Sequence, residues 1–202
     1  MPVICTAKTS LKQVAISFDD GPAKQYSPEI LAFLKQEKVP AAFFIIGSRI
    51  AGNEVILQQM YADGHLIGNH SLSHHFFFDM WPAQKMLDDM QAAGSAIQSI
   101  TGSRPKLFRP PYGVMNPNLK KAIIKGDYTP VGWSVRSLDT VAKDGEKLLK
   151  KLIAALNPGA VFLFHDTCKI TLEILPLFVK KVQEQGYEIV RLDKLLHLKP
   201  YA

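Results

Sequence analysis

The chain has 202 residues, 47% of them hydrophobic and 21% charged, which suits one folded domain spanning residues 1–202 and is short for two. No apolar stretch approaches the roughly 18 residues of a membrane span. Two cysteines, Cys5 and Cys168, are too few and too far apart for a disulfide framework, so free thiols are expected. The net charge of +6 includes the scattered doublets Lys120-Lys121, Lys150-Lys151 and Lys180-Lys181; with no basic stripe, nucleic acid is excluded as a partner and only a mild attraction to an anionic polymer remains.

The opening "MPVICTAKTSLK" holds too short an apolar run for a secretory signal, which predicts a cytosolic protein or one whose export segment is not in this sequence. Short apolar runs then recur: "VAISF" (14–18), "AAFFIIG" (41–47), "HLIGN" (65–69), "KLFRPPY" (106–112), "YTPVGWSV" (128–135), "AVFLFH" (160–165) and "YEIVRL" (187–192). Most are too continuous for one-sided strands and predict strands buried on both faces. Helical segments alternate with them. Ser27-Pro28 offers an N-cap and a first-turn proline ahead of Ile30, Leu31 and Leu34. Pro82 to Thr101 predicts a longer helix ended by Gly102, and Asn116-Pro117 starts another. Strand–helix alternation of this kind predicts an α/β fold, a parallel sheet wrapped by helices that either closes as a barrel or stays open and doubly wound. Gly-x-Gly-x-x-Gly and P-loop patterns are absent, so nucleotide binding has no support.

In both forms the functional rim lies at the carboxyl ends of the strands. Asp19 and Asp20 follow strand one, and His70 follows strand three with His74 four residues on. Arg109 and Tyr112 end strand four, Asp139 follows strand five, and His165 and Asp166 end strand six. Each signal alone is ambiguous: Asp-Gly is a common turn, His70 and His74 could be surface histidines or share one helical turn, and His165 could be a satisfied core residue. Their convergence on one rim predicts a metal site with an open position, Asp20, His70 and His74 being the ligands. Asp19 then faces the water as base, Arg109 orients Asp19 through a two-pronged hydrogen bond, and the Tyr112 N–H helps hold an oxyanion. A separate acid must protonate the leaving group. His165 fills that role, kept charged by Asp139, since Asp166 points to the opposite face.

"SFDDGP", "GNHSLSH", "FRPPYG", "WSVRSLD" and "FLFHD", in that order, resemble the five motifs of the polysaccharide deacetylases, the NodB-homology domain of carbohydrate esterase family four. The resemblance runs from about Val14 to Leu196. It implies an incomplete (β/α) barrel of seven or eight units and a divalent metal, usually zinc, with cobalt, nickel or manganese as alternatives. It implies an acetylated polysaccharide or oligosaccharide substrate, hydrolysed at N-acetylglucosamine units of peptidoglycan or a chitin-like glycan. O-deacetylation of an acetylxylan-type polymer is the alternative, and a non-catalytic glycan-binding domain a further one. The same roles for Asp19, Asp20, His70, His74, Arg109, Tyr112, Asp139 and His165 are implied, with Leu163 lining the pocket for the acetyl methyl. Relatives of this kind commonly act outside the cytoplasm. Two positions depart from the family pattern: Thr140 stands where tryptophan usually follows the aspartate, and Arg136 where aspartate is common. Arg136 reads either as an ion-paired surface arginine or as a charge suited to an anionic polymer.

Overall fold

The computed structural model describes residues 2–202. Eight strands form one sheet: β1 (Gln13–Asp19), β2 (Ala42–Ile45), β3 (Leu66–Asn69), β4 (Leu107–Phe108), β5 (Thr129–Pro130), β6 (Val135–Arg136), β7 (Val161–His165) and β8 (Glu188–Ile189). Their order is β5-β4-β3-β2-β1-β7-β6, every pairing between these strands is parallel, and β8 joins the start of β1. The central strands are buried along nearly their whole length, because helices cover one face and the barrel interior the other. Seven helices follow: α1 (Ser27–Gln36), α2 (Glu54–Ala62), α3 (Ala83–Thr101), α4 (Pro117–Lys125), α5 (Gly145–Ala154), α6 (Lys169–Glu184) and α7 (Leu192–Leu196).

No pairing joins β5 to β6 among the described residues, so the curved sheet is an incomplete (β/α) barrel. The run 128–135, read as one strand, divides here. Thr129–Pro130 pairs with β4 at one end of the sheet and Val135–Arg136 with β7 at the other. Gly132 separates them, and the N-terminal segment covers the gap: Ile4 bridges Val131 and Thr6 bridges Ala160. The core is built from the phenylalanines of β1, β2 and β7, with Phe18 stacked on Phe43 at 5.0 Å and Phe164 edge-on to Phe178 of α6 at 5.3 Å.

Two helix starts behave differently. Asn116 caps α4 as expected, its side chain accepting the Leu119 N–H at 2.8 Å. Ser27 does not cap α1. Its hydroxyl accepts the Ala23 N–H and donates to the buried carboxylate of Asp166. Gly102 ends α3 in the left-handed conformation, φ 71°, as a C-terminal glycine should. No helix among the described residues is long and apolar enough to cross a membrane.

Candidate active site

The carboxyl ends of β1, β3, β4, β6 and β7 meet around a cleft of about 190 Å³. It is lined by Asp19, Asp20, His70, His74, Tyr112 and His165, together with Pro110, Gly113, Trp133, Arg136, Thr140 and Leu163. Parallel pairing sets the spacing. Asp19 lies opposite His165 in the β1–β7 register, and Ser17 lies opposite Leu163. Residues in register share a face, so Asp19 and His165 both point into the cleft about 5 Å apart at the backbone.

Asp19 is only 3% exposed, and Arg109 is fully buried. Arg109 Nη1 donates to Asp19 Oδ1 at 2.7 Å and to Ser17 Oγ at 2.9 Å. The expected two-pronged contact is not formed. Nη2 donates instead to the Gly132 carbonyl at 2.8 Å and Nε to the Val131 carbonyl at 3.3 Å, while the guanidinium lies 3.9 Å over the Phe44 ring. A buried arginine must spend its donors somewhere, and the bend between β5 and β6 supplies two carbonyls. One consequence is that Asp19 Oδ2 stays free of the guanidinium and faces His70 Nε2 at 3.7 Å.

Asp20, His70 and His74 bring one donor atom each to within 4.8 Å of one another. Asp20 Oδ1 lies 3.6 Å from His70 Nε2 and 3.7 Å from His74 Nε2. The histidines do not share a helical turn. They flank a loop in which Ser71 (φ 68°) and His74 (φ 46°) are left-handed, pinned by the Ser71 N–H on Asn69 Oδ1 and the His74 N–H on Ser71 Oγ. Asp20 is left-handed as well, at φ 75°. His70 Nδ1 lies 2.7 Å from the Arg109 carbonyl, which can only accept. Nδ1 therefore carries a proton, and Nε2 is the ring atom aimed at Asp20. Burial holds His74 below the ordinary imidazole value, with His70 pushing the same way and Asp20 opposing. Two imidazole nitrogens and a carboxylate oxygen converging at 3.6 and 3.7 Å, too far apart to hydrogen-bond one another, form a donor set that fits a divalent cation.

On the other side, Asp139 accepts from the His165 backbone N–H and from His165 Nδ1, both at 2.7 Å, and from Thr171 Oγ1. Burial alone would pull His165 down, but its hydrogen bond to Asp139 and the charges of Asp139, Asp19 and Asp20 outweigh this and raise its pKa. Asp139 moves the opposite way, its burial overcome by His165 and Thr171. Asp166 takes no part in this pair. It turns to the outer face, as expected, and is fully buried against Ser27.

A model of the family described as Polysaccharide deacetylase matches residues 6–131. The chain belongs to the polysaccharide deacetylase family. It is 32% identical over 195 residues to the peptidoglycan-N-acetylglucosamine deacetylase PgdA of Listeria monocytogenes, a match over 96% of this chain and 41% of that protein. The chain thus spans less than half the length of that curated relative. A chitooligosaccharide deacetylase of a Bradyrhizobium species is 30% identical, with 91% of this chain and 90% of the relative covered. Among solved structures, the Bc1960 peptidoglycan N-acetylglucosamine deacetylase superimposes with a TM-score of 0.91 at 25% identity, covering 98% of this chain and 94% of that one.

Within this family fold, every residue given a site role from the sequence lies in the cleft or directly behind it, and Asp166, given none, lies outside it. Leu163, 2% exposed, forms its floor, and Thr140 stands at its edge. Arg136 is exposed and lines the cleft; the reading of an ion-paired surface arginine does not hold, since its guanidinium forms no ion pair among the described residues. Four contributors went unread. Trp133 walls the cleft so closely that a Cβ on Gly113 would meet its ring at 2.6 Å. Ser17 and Thr171 are buried hydrogen-bond partners of Arg109 and Asp139. Asn69 anchors the histidine loop. Trp133 opens the quoted "WSVRSLD", so a signal for it was present. Ser17 and Asn69 likewise lie within the quoted "SFDDGP" and "GNHSLSH", whereas Thr171 carries no local signal.

Proposed function

We propose that residues 1–202 form one catalytic domain that hydrolyses the acetamide of N-acetylglucosamine units in a polysaccharide, peptidoglycan or a chitin-like glycan, releasing acetate and leaving a free amine. The observation that carries this reading is the pairing of Asp19 with His165 in one register of adjacent strands, in the same cleft as the Asp20, His70 and His74 cluster. Asp20, His70 and His74 would hold a divalent metal, and two imidazoles with one carboxylate suit zinc. Such a metal supplies Lewis acidity, drawing electron density from the acetyl carbonyl and making an attacking water easier to deprotonate.

The residues of the chain supply the rest. Asp19, oriented by its ion pair with Arg109, takes the proton of the water through Oδ2. The Tyr112 N–H, which donates to no backbone carbonyl among the described residues, faces the charge that develops on the acetyl oxygen. The left-handed backbone of Tyr112, φ 57°, follows two prolines that fix the approach. His165 delivers a proton to the leaving nitrogen as the C–N bond breaks, and Asp139 keeps it charged for that purpose. Leu163 packs the acetyl methyl. Neighbouring sugars run over the exposed aromatic rim, where Phe76 is 71% and Tyr112 50% exposed and their rings lie 6.0 Å apart. Envelope glycans place the work outside the cytoplasm.

Acetate release from N-acetylglucosamine oligomers, with acetylxylan as the control, tests this reading. Release from the oligomers that stops with a chelator and returns with zinc is expected. Release from acetylxylan alone would replace the amidase reading by an esterase.

A further inference from the structure

The acids of the cleft are all engaged. Asp19 pairs with Arg109, Asp139 with His165, and Asp20 faces His70 and His74. Arg136 is the one cation lining the same cleft that has no carboxylate partner among the described residues. Its side chain makes no hydrogen bond among the described residues, while its backbone carbonyl accepts from Lys151 Nζ at 3.1 Å. The sheet fixes where the side chain stands. Val135 is buried in the core, so Arg136 takes the opposite face. It lies in register with Leu163, the cleft floor, on a neighbouring strand about 5 Å away. An exposed guanidinium with idle donors, one strand from the acetyl pocket, matches a planar anion geometrically and electrostatically.

We propose that Arg136 binds the lactyl carboxylate of the glycan whose acetamide enters the cleft, which makes the site favour peptidoglycan over a neutral chitin-like chain. This rests on the deacetylase reading above. The chemistry chooses among acidic sugars. In peptidoglycan a lactyl ether hangs from O3 of the sugar next to each N-acetylglucosamine, so a carboxylate stands one sugar from the acetamide. A uronic acid carries its carboxylate on C6, across the ring. Converting the lactyl carboxylate to an amide removes the charge and leaves the shape.

The test is equilibrium binding to the full-length Asp19→Asn protein, with and without Arg136→Gln. The probes are a peptide-free peptidoglycan glycan with free lactyl carboxylates, the same glycan methyl-amidated, and a uronic-acid-containing N-acetylglucosamine oligosaccharide. The free carboxylate is expected to bind about tenfold more tightly than the amide, Arg136→Gln to erase that difference, and Arg136→Lys to restore part of it. Equal affinity for acid and amide overturns the proposal, as does a difference that survives Arg136→Gln. Tighter binding of the uronic acid overturns the lactyl assignment. His165→Asn carries the same comparison if Asp19→Asn is unstable. Acetate release by the parent protein on the same glycans is read separately: none from any of them removes the deacetylase reading and leaves the binding result standing.

Discussion

Asp19 and Asp20 can do different work as neighbours because the chain turns between them. Asp19 ends an extended strand and meets Arg109, while Asp20 is left-handed and turns to the two histidines. Asp19→Asn should therefore retain its metal and lose turnover by about 10²–10⁴-fold, the usual span for a general base. His70→Ala should lose both. Metal content by mass spectrometry beside acetate release separates the two, and an active Asp19→Asn would remove the base assignment. The pH dependence belongs to His165. Its folded pKa is raised, so the charged form persists above the ordinary imidazole value of 6.5. Activity that needs the charged acid is present below that raised pKa and declines as pH rises through it. Asp139→Asn removes the partner and should shift the alkaline limb of kcat/KM to lower pH; an unmoved limb would assign it to another group. The positions of these residues were legible because each sits where an apolar run ends. The partners of Arg109 were not, since carbonyls of a bend leave no mark on side-chain chemistry.

At the scale of elements, continuous apolar runs located the strands, and their alternation with amphipathic helices gave the parallel sheet. The run 128–135 misled for a physical reason. Its residues are apolar throughout, but Arg109 draws the carbonyls of Val131 and Gly132 inward, so the ladder breaks between two strands at opposite ends of the sheet. The histidine loop misled similarly: a spacing of four fits a helical turn, yet Asn69 and Ser71 hold it in a tight loop. The gap left by that broken ladder depends on the N-terminal segment. Gly159, at φ 80°, accepts the Ala7 N–H and the Thr6 hydroxyl through its carbonyl, and an added Cβ would come within 2.1 Å of the Ala7 carbonyl oxygen. Gly159→Ala should cost about 2–4 kcal/mol through backbone displacement and left-handed strain together. The urea midpoint measures this, and an unchanged midpoint would mean the segment moves aside freely.

For the molecule as a whole, the buried outer-face carboxylate ties stability to pH. Burial pushes Asp166 up to about 7 from an ordinary 3.8, against the opposing hydrogen bond from Ser27, and its Oδ1 has no partner. A raised carboxyl pKa means that folding is least penalised when the group is protonated. Its contribution is thus fully favourable below pH about 3.8 and is lost as pH rises towards about 7, by about 1.4 kcal/mol per unit at the steepest. Subtracting the stability of Asp166→Asn from that of the parent at each pH should give this falling curve, flat above about 7. A flat difference from pH 4 to 7 would show that Asp166 ionises in place at no cost.

Asp19 and His165 owe their separation to a ladder of backbone hydrogen bonds between β1 and β7. That ladder is indifferent to what the flanking loops contain. The segments that carry Phe76, Phe77, Leu138 and Thr140 can therefore diverge in descendants of this chain without disturbing the spacing of Asp19 and His165. On the proposed reading, inheritance can rewrite which glycan is admitted while the distance between acid and base is passed on unchanged.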